Sequence, residues 1–229
     1  MLAVLISDEI MRICWLLCLY LICVCLLWWR HDKTDMVNYK KPSKEKKQQL
    51  IHNMKTRCYN ENYHKVKPDY KECTVCDKWL DNKKSFYEWV DHNYYEIEGE
   101  PTVELDKDIL VPGNKVYSPD TCIFVPKRIN DLFVHIHGKK KNGLPTGVSY
   151  SEKTGKYQAT VRESCKDDED GKKKTARLGF FDTAEEAYEV YKAHKMAEII
   201  YIADSYKDMI PDKLYQAMIN WKFDEIKKG

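Results

Sequence analysis

The sequence predicts an α+β fold that ends in a three-stranded antiparallel sheet packed on one helix. After a Lys-rich stretch at residues 138–146, apolar and polar residues alternate with the two-residue period that is typical of strands. Three such segments, separated by glycine-containing turns, cover residues 147–151, 156–163 and 174–181. A stripe of apolar residues at helical spacing follows them, formed by Ala184, Ala187, Tyr188 and Tyr191. This helix is therefore expected to cover one face of the sheet.

Residues 1–35 form an apolar N-terminal segment with two interpretations. Ile13 to Trp29 contains no charged residue, and a helix of this length is about 26 Å long, close to the lower limit for a transmembrane helix. The basic residues that follow, from Arg30 onward, would keep the rest of the chain on the cytoplasmic side. Alternatively, the segment is an upstream extension of a protein that starts at Met36. The sequence leaves these two interpretations open.

The remainder of the chain divides by composition into two modules, a linker and a terminal helix. The predicted boundaries are 36–137 for the first module, 138–146 for the linker, 147–208 for the sheet domain and 209–229 for the helix. In the first module we predict helices over 40–59, 85–95 and 126–133, with Pro42 and Ser43 as the start signal of the first helix. Two short strands are predicted at 103–110 and 122–125.

Charge is distributed in patches although the net charge is only +2. Residues 40–84 contain 13 basic and 6 acidic side chains, whereas residues 85–108 contain one basic and eight acidic side chains. Residues 139–177 contain 11 basic and 6 acidic side chains. This pattern excludes a uniformly basic nucleic-acid-binding chain, and it indicates local basic surfaces that attract anionic partners.

The sheet segment resembles a known DNA-binding domain. Gly147-Val148, the run Lys156 to Arg162 (KYQATVR), the run Leu178 to Thr183 (LGFFDT) and Glu185-Glu186-Ala187 are similar to the plant APETALA-two/ethylene-response-factor domain, which also occurs in phage and mobile-element nucleases. The resemblance covers residues 144–203 and implies that the sheet enters the DNA major groove. The positions that it places toward the groove are Ser149, Ser151, Thr160, Arg162, Thr175 and Arg177. We expect Lys153 and Lys156 to contact phosphates.

Residues 50–131 resemble a phage family of HNH endonucleases. The similarity lies in the runs at 54–60 (MKTRCYN), 75–79 (VCDKW), 105–109 (LDKDI), 117–122 (YSPDTC) and 128–130 (RIN). The resemblance implies a degenerate ββα-metal module, because Lys107 stands where these enzymes have a general-base His and Thr121 where they have Asn. A lysine ammonium is no base unless its pKa falls far. The remaining candidate catalytic residues are Asp106, Asp108 and Asn130.

These features together predict a DNA-binding protein of phage or mobile-element origin in the cytoplasm of a bacterial or infected cell. Its partner is double-stranded DNA, with no cofactor needed for binding and no small-molecule substrate. Cys73 and Cys76 have the spacing of half a zinc site, but no second such pair exists, so we expect free thiols and no metal site. One alternative is an active Mg²⁺-dependent HNH homing-type endonuclease. The other is a membrane-anchored interaction protein held by residues 13–29.

Overall fold

The structure is a computed structural model that describes residues 37–133, 136, 143–167 and 173–223. The predicted anchor or extension therefore lies outside the described residues, as do most of the linker and the end of the terminal segment. The helices and strands, in chain order, are α1 (Lys44–Tyr59), α2 (Glu61–Val66), a 3₁₀ turn (Pro68–Tyr70), β1 (Thr74–Val75), α3 (Asp77–Leu80), α4 (Lys83–Asn93), β2 (Val103–Asp106), β3 (Val116–Tyr117), β4 (Ile123–Pro126), α5 (Lys127–Phe133), β5 (Val148–Ser151), β6 (Lys156–Asp167), β7 (Lys173–Phe181), α6 (Ala184–Tyr206) and α7 (Asp212–Ile219).

Side-chain caps set the starts of the main helices. Helix α1 begins at Lys44, directly after the predicted start signal at Pro42 and Ser43, because the Ser43 side chain accepts a hydrogen bond from the backbone N–H of Lys46. Helix α4 begins two residues earlier than predicted because Asn82 caps it in the same way. Thr183 caps α6 and forms a reciprocal capping box with Glu186.

The first half of the described chain contains a strand–strand–helix unit. Strand β2 pairs antiparallel with β4, and α5 follows β4 directly and contacts both strands. We predicted a longer first strand, but β2 ends at Asp106. The Asp106 carboxylate accepts hydrogen bonds from the backbone N–H groups of Asp108 and Ile109, which turns the chain out of the sheet. The loop that follows contains β3, which pairs in parallel with β1.

The predicted three-stranded antiparallel sheet and the α+β class are confirmed. The strand order is β5–β6–β7, and all neighbours are antiparallel. Ala159 lies opposite Val148 on one side and Gly179 on the other, and this face packs against Ala187 of α6. A bulge in β7 leaves Leu178 without a partner on β6.

Helix α6 belongs to two apolar cores. Its first half covers the sheet, where Val148, Ala159 and Ala187 form a small core. Its second half joins the large core of the first module through Ile199, Ile202, Ala203 and Tyr206. The described residues from Val37 onward accordingly form a single compact unit.

Two further contacts tie the C-terminal part to the first module. The ring of Trp221 lies 4.6 Å from that of Phe133 between centroids, and the Tyr206 hydroxyl hydrogen-bonds to Glu100. Within the ranges that the structure describes, no helix has the length and apolar character needed to cross a membrane.

Candidate nucleic-acid interface

The strand register determines which side chains share the solvent face of the sheet. Thr160 lies opposite Arg177, and Arg162 lies opposite Thr175. Directly opposed residues in an antiparallel pair project from the same face, so the two arginines are diagonal neighbours on that face. Ala159 and Val161 alternate with these residues and are buried on the other face. Both arginines are exposed to solvent.

Strand β5 extends the same face with small side chains. Ser149 lies opposite Gln158, and Ser151 lies opposite Lys156. The structure thus brings the six positions that the resemblance places toward a groove onto one face of the sheet. Serine and threonine side chains leave the backbone of the sheet accessible, so a bulky partner can approach the two arginines closely.

The two candidate phosphate-contacting lysines lie at one end of this face. Lys153 is exposed in the turn between β5 and β6. The Lys156 Nζ lies 3.0 Å from Asp182 Oδ1, and both side chains are largely exposed. An exposed ion pair of this kind contributes at most about 1 kcal/mol, so Lys156 can exchange its carboxylate partner for a phosphate at little cost.

Two further residues on this face are absent from the sequence-based site. Gln158 and Phe180 lie opposite each other, and the Arg177 guanidinium lies 5.5 Å from the Phe180 ring centroid. Strict alternation from Arg177 places Phe180 on the buried face, but the bulge at Leu178 reverses the order. Gly179, with φ near +151°, adopts the conformation that this bulge requires. A glycine inside a strand was the one indication of the bulge in the sequence.

Lys107 of the strand–strand–helix unit is buried as a cation. Its Nζ donates to Asp108 Oδ2 at 2.9 Å and lies 5.7 and 5.8 Å from the ring centroids of Tyr70 and Tyr117. Burial acts to lower the pKa of Lys107, but the Asp108 carboxylate outweighs it, and the pKa is raised. The ammonium group therefore stays protonated at neutral pH and cannot accept a proton from water.

The three candidate catalytic residues are engaged in local structure. Burial, together with the charge of Asp108, raises the pKa of Asp106 to about 7, while its carboxylate accepts the two backbone N–H groups that end β2. The Asn130 amide donates to Glu104 Oε2 at 2.5 Å. At the position of the motif's central Asn, Thr121 donates its hydroxyl to the carbonyl of Val116.

These carboxylates are engaged with the chain's own groups and are not arranged as a Mg²⁺ site, which needs carboxylate oxygens free to coordinate the ion in octahedral geometry. Asp106 Oδ1 accepts the two backbone N–H groups that end β2, and Asp108 is paired with Lys107. Among the described residues, no group of three His, Cys, Asp or Glu side chains is arranged to hold a metal ion.

The cysteines of the first module are free thiols. Cys58, Cys73 and Cys122 are buried, and Cys76 is partly buried. Burial raises the pKa of Cys58 and of Cys122 to about 12, which keeps both thiols protonated. They act as small apolar side chains of the core.

No family model, curated protein or solved structure matches this chain. Its function is therefore inferred from the geometry and charge of its own residues.

Proposed function

We propose that the protein binds duplex DNA with the solvent face of the β5–β6–β7 sheet and recognises sequence with Arg162 and Arg177. The observation that supports this most directly is the cross-strand register, which puts both arginines on one face among small side chains. A twisted sheet fits the major groove, and an arginine guanidinium can bond the O6 and N7 atoms of guanine in bidentate fashion. Helix α6 supports the sheet from the opposite face, as in the APETALA-two/ethylene-response-factor domain that the segment resembles.

The charge of this part of the chain favours the same function. Residues 139–177 contain 11 basic and 6 acidic side chains, and a basic surface gains affinity for DNA by releasing the counterions condensed on phosphates. Under this proposal, the protein is a DNA-binding protein of phage or mobile-element origin.

Selection from random duplex DNA, followed by titration at several salt concentrations, tests the proposal. We expect Arg162→Ala and Arg177→Ala each to relax the sequence preference, because a bidentate contact to guanine contributes about 1–3 kcal/mol of discrimination. Lys153→Ala and Lys156→Ala should weaken all sequences alike and each reduce the salt slope by about one. Lys213→Ala, on the exposed side of α7, is the control. Unchanged preference and affinity in both arginine variants would exclude this face as the DNA-binding surface.

The order of β2, β4 and α5 suggests a second candidate function, DNA cleavage, but the side chains of this unit do not support it. This is the strand–strand–helix order of the ββα-metal fold, with Asp106, Lys107 and Asp108 at the end of the first strand and Asn130 on the helix. We propose that this unit is a degenerate HNH module without catalytic activity, because Lys107 is a buried cation where a base is needed.

Incubation of supercoiled plasmid with Mg²⁺ or Mn²⁺ distinguishes the two candidates. We expect no nicking by the full chain under conditions in which it binds the plasmid. Nicking that disappears in the double variant Asp106→Ala, Asp108→Ala would establish the endonuclease instead. The membrane-anchored alternative depends on residues 13–29, which lie outside the described residues.

A further inference from the structure

Helices α1 and α4 border an open groove of about 530 Å³ in the first module. Its size lies within the range of about 300–1,000 Å³ that is usual for ligand pockets. Neither Arg162 nor Arg177 lines it, so it is a different surface from the solvent face of the sheet.

One wall of the groove is a single polar stripe of helix α1. Gln48, His52, Lys55 and Tyr59 follow one another at intervals of four, three and four residues, which places them on one face of the helix. Lys83, at the start of α4, lines the opposite side.

The groove is basic and has no internal counter-charge. None of the residues that line it is acidic. Neighbouring lysines on the same helices are paired, Lys47 with Asp91 at 2.8 Å and Lys84 with Glu88 at 3.7 Å. Lys55 and Lys83, in contrast, form no ion pair with any residue in the described part of the chain. Two ammonium groups without an ion-pair partner among the described residues favour an anionic ligand at this open groove.

Tyr59 adds an aromatic surface to these cations. Tyr59 is the last residue of α1, and its side chain is 47% exposed. The buried residues of this helix lie on its other face. The Tyr59 hydroxyl accepts a hydrogen bond of 3.0 Å from the backbone N–H of Val75, which holds the ring in one orientation beside the groove. An oriented, exposed ring next to these lysines is the combination that binds a base together with its phosphates.

We propose that this groove binds one unpaired nucleic-acid strand, with a base stacked on Tyr59 and the flanking phosphates on Lys55 and Lys83. The inference extends the proposed DNA-binding function to a second surface, and it predicts that the two surfaces can be disabled separately. Base stacking tolerates any base, so this groove adds affinity for an opened or single strand without adding sequence preference.

Fluorescence anisotropy with a labelled thymidine 12-mer and the full chain tests the proposal. We expect Lys55→Glu with Lys83→Glu to weaken binding at least about tenfold and to lower the salt slope by about 0.7 for each phosphate that the variant no longer neutralises. Tyr59→Ala should weaken binding roughly tenfold, whereas Tyr59→Phe, which keeps the ring, should retain most of the affinity.

Matched variants separate the groove from general charge effects and from the sheet. Lys71→Glu with Lys213→Glu makes the same change in net charge at exposed lysines outside the groove, and it should leave binding of the 12-mer nearly unchanged. Arg162→Ala with Arg177→Ala should alter duplex recognition but not binding of the 12-mer. If the charge-reversed groove variant does not fold, Lys55→Gln with Lys83→Gln provides the same comparison with neutral side chains.

Three results would overturn the inference. The first is equal loss of affinity in the groove variant and the matched control, which would indicate a diffuse charge effect. The second is tighter binding of a 12-base-pair duplex than of the 12-mer by the Arg162→Ala, Arg177→Ala variant, in which the sheet surface is disabled. The third is displacement of the labelled 12-mer by thymidine monophosphate at concentrations as low as those at which the unlabelled 12-mer displaces it. That result would identify the ligand as a free nucleotide. Duplex preference and affinity that stay unchanged in the arginine variants would overturn the sheet proposal and leave the groove proposal standing.

Discussion

Gly147, directly before strand β5, lies close against Tyr191 of helix α6. Its φ is near +80°, and a Cβ atom added there would lie 2.1 Å from Cδ2 of Tyr191. Both the backbone conformation and the space therefore require glycine at this position. Gly155 has a similar φ of +64° in the turn before β6, but a Cβ atom there would meet nothing within 4 Å.

This pair of glycines gives a controlled prediction of stability. We expect Gly147→Ala to lower the free energy of unfolding by about 2–4 kcal/mol, because it adds overpacking against Tyr191 to the backbone strain. Gly155→Ala should cost only about 1 kcal/mol, from strain alone. Urea denaturation followed by circular dichroism measures both. Equal losses of stability in the two variants would show that overpacking against Tyr191 does not destabilise the fold.

Asp106 makes the stability of the first module depend on pH. Burial and the neighbouring Asp108 raise the pKa of its carboxyl to about 7 in the folded chain, above the value of about 3.9 expected for the unfolded chain. Between these values the folded state binds more protons than the unfolded state, so this group's contribution to stability falls as pH rises from about 4 to about 7. Asp106→Asn keeps an oxygen to accept the two backbone N–H groups but cannot ionise.

We therefore expect Asp106→Asn to become more stable relative to the original chain as pH increases through that range. Denaturation curves at intervals between pH 4 and pH 8 measure the difference, with Asp81→Asn, at an exposed carboxyl, as the control. A difference between Asp106→Asn and the original chain that does not change with pH would contradict this assignment.

Within helix α6, one ion pair is buried between the two cores. The Lys195 Nζ lies 2.7 Å from Glu198 Oε2, and the two side chains are only 7% and 9% exposed. Removing one member of a buried pair leaves an uncompensated charge and costs about 3–5 kcal/mol, whereas replacing both with apolar residues of similar size is often neutral. We expect Glu198→Ala to be strongly destabilising and Lys195→Met with Glu198→Leu to cost less than Glu198→Ala alone. Thermal unfolding of the three proteins checks this. If the double variant loses as much stability as Glu198→Ala, the uncompensated charge is not the cause of the loss.

The elements differ in how far the sequence could predict them. Strands β5 and β6 could be placed, with the correct residues on each face, because one face is buried and the other is polar. Phe180 could not be assigned to the correct face of the sheet, because the bulge at Leu178 interrupts the alternation. The pair β1–β3 was missed because two-residue strands are too short to show a periodic pattern.

The groove on α1 was missed because its stripe is polar, and a hydrophobic pattern identifies only the buried face of a helix. The burial of Lys107 depends on Tyr70 and Tyr117, which are distant in sequence from β2.

At the scale of the whole molecule, the two cores are unequal and share one helix. Among the described residues, the cluster of buried residues under the sheet consists of Val148, Ala159 and Ala187, with partly buried side chains around it. The large core includes Trp79, Phe86, Phe124 and many others, and the second half of α6 lies within it. A core as small as that of the sheet does not stabilise an independent domain. The sheet must therefore depend on α6 being anchored in the large core, whereas the large core does not need the sheet to the same degree.

This asymmetry predicts the direction in which a mutation's effect spreads. Ile202→Ala, in the part of α6 that lies in the large core, should cost about 2–5 kcal/mol and lower the hydrogen-exchange protection of both the large core and strand β6. Val148→Ala, in the sheet core, should lower the protection of β6 and leave α1 and β4 close to their original protection. Amide exchange followed by mass spectrometry of peptides from α1, β4 and β6 measures all three regions in one experiment. Protection of β6 that survives Ile202→Ala would show that the sheet is held by its own contacts, and reduced protection of α1 in Val148→Ala would show that the two cores unfold as one.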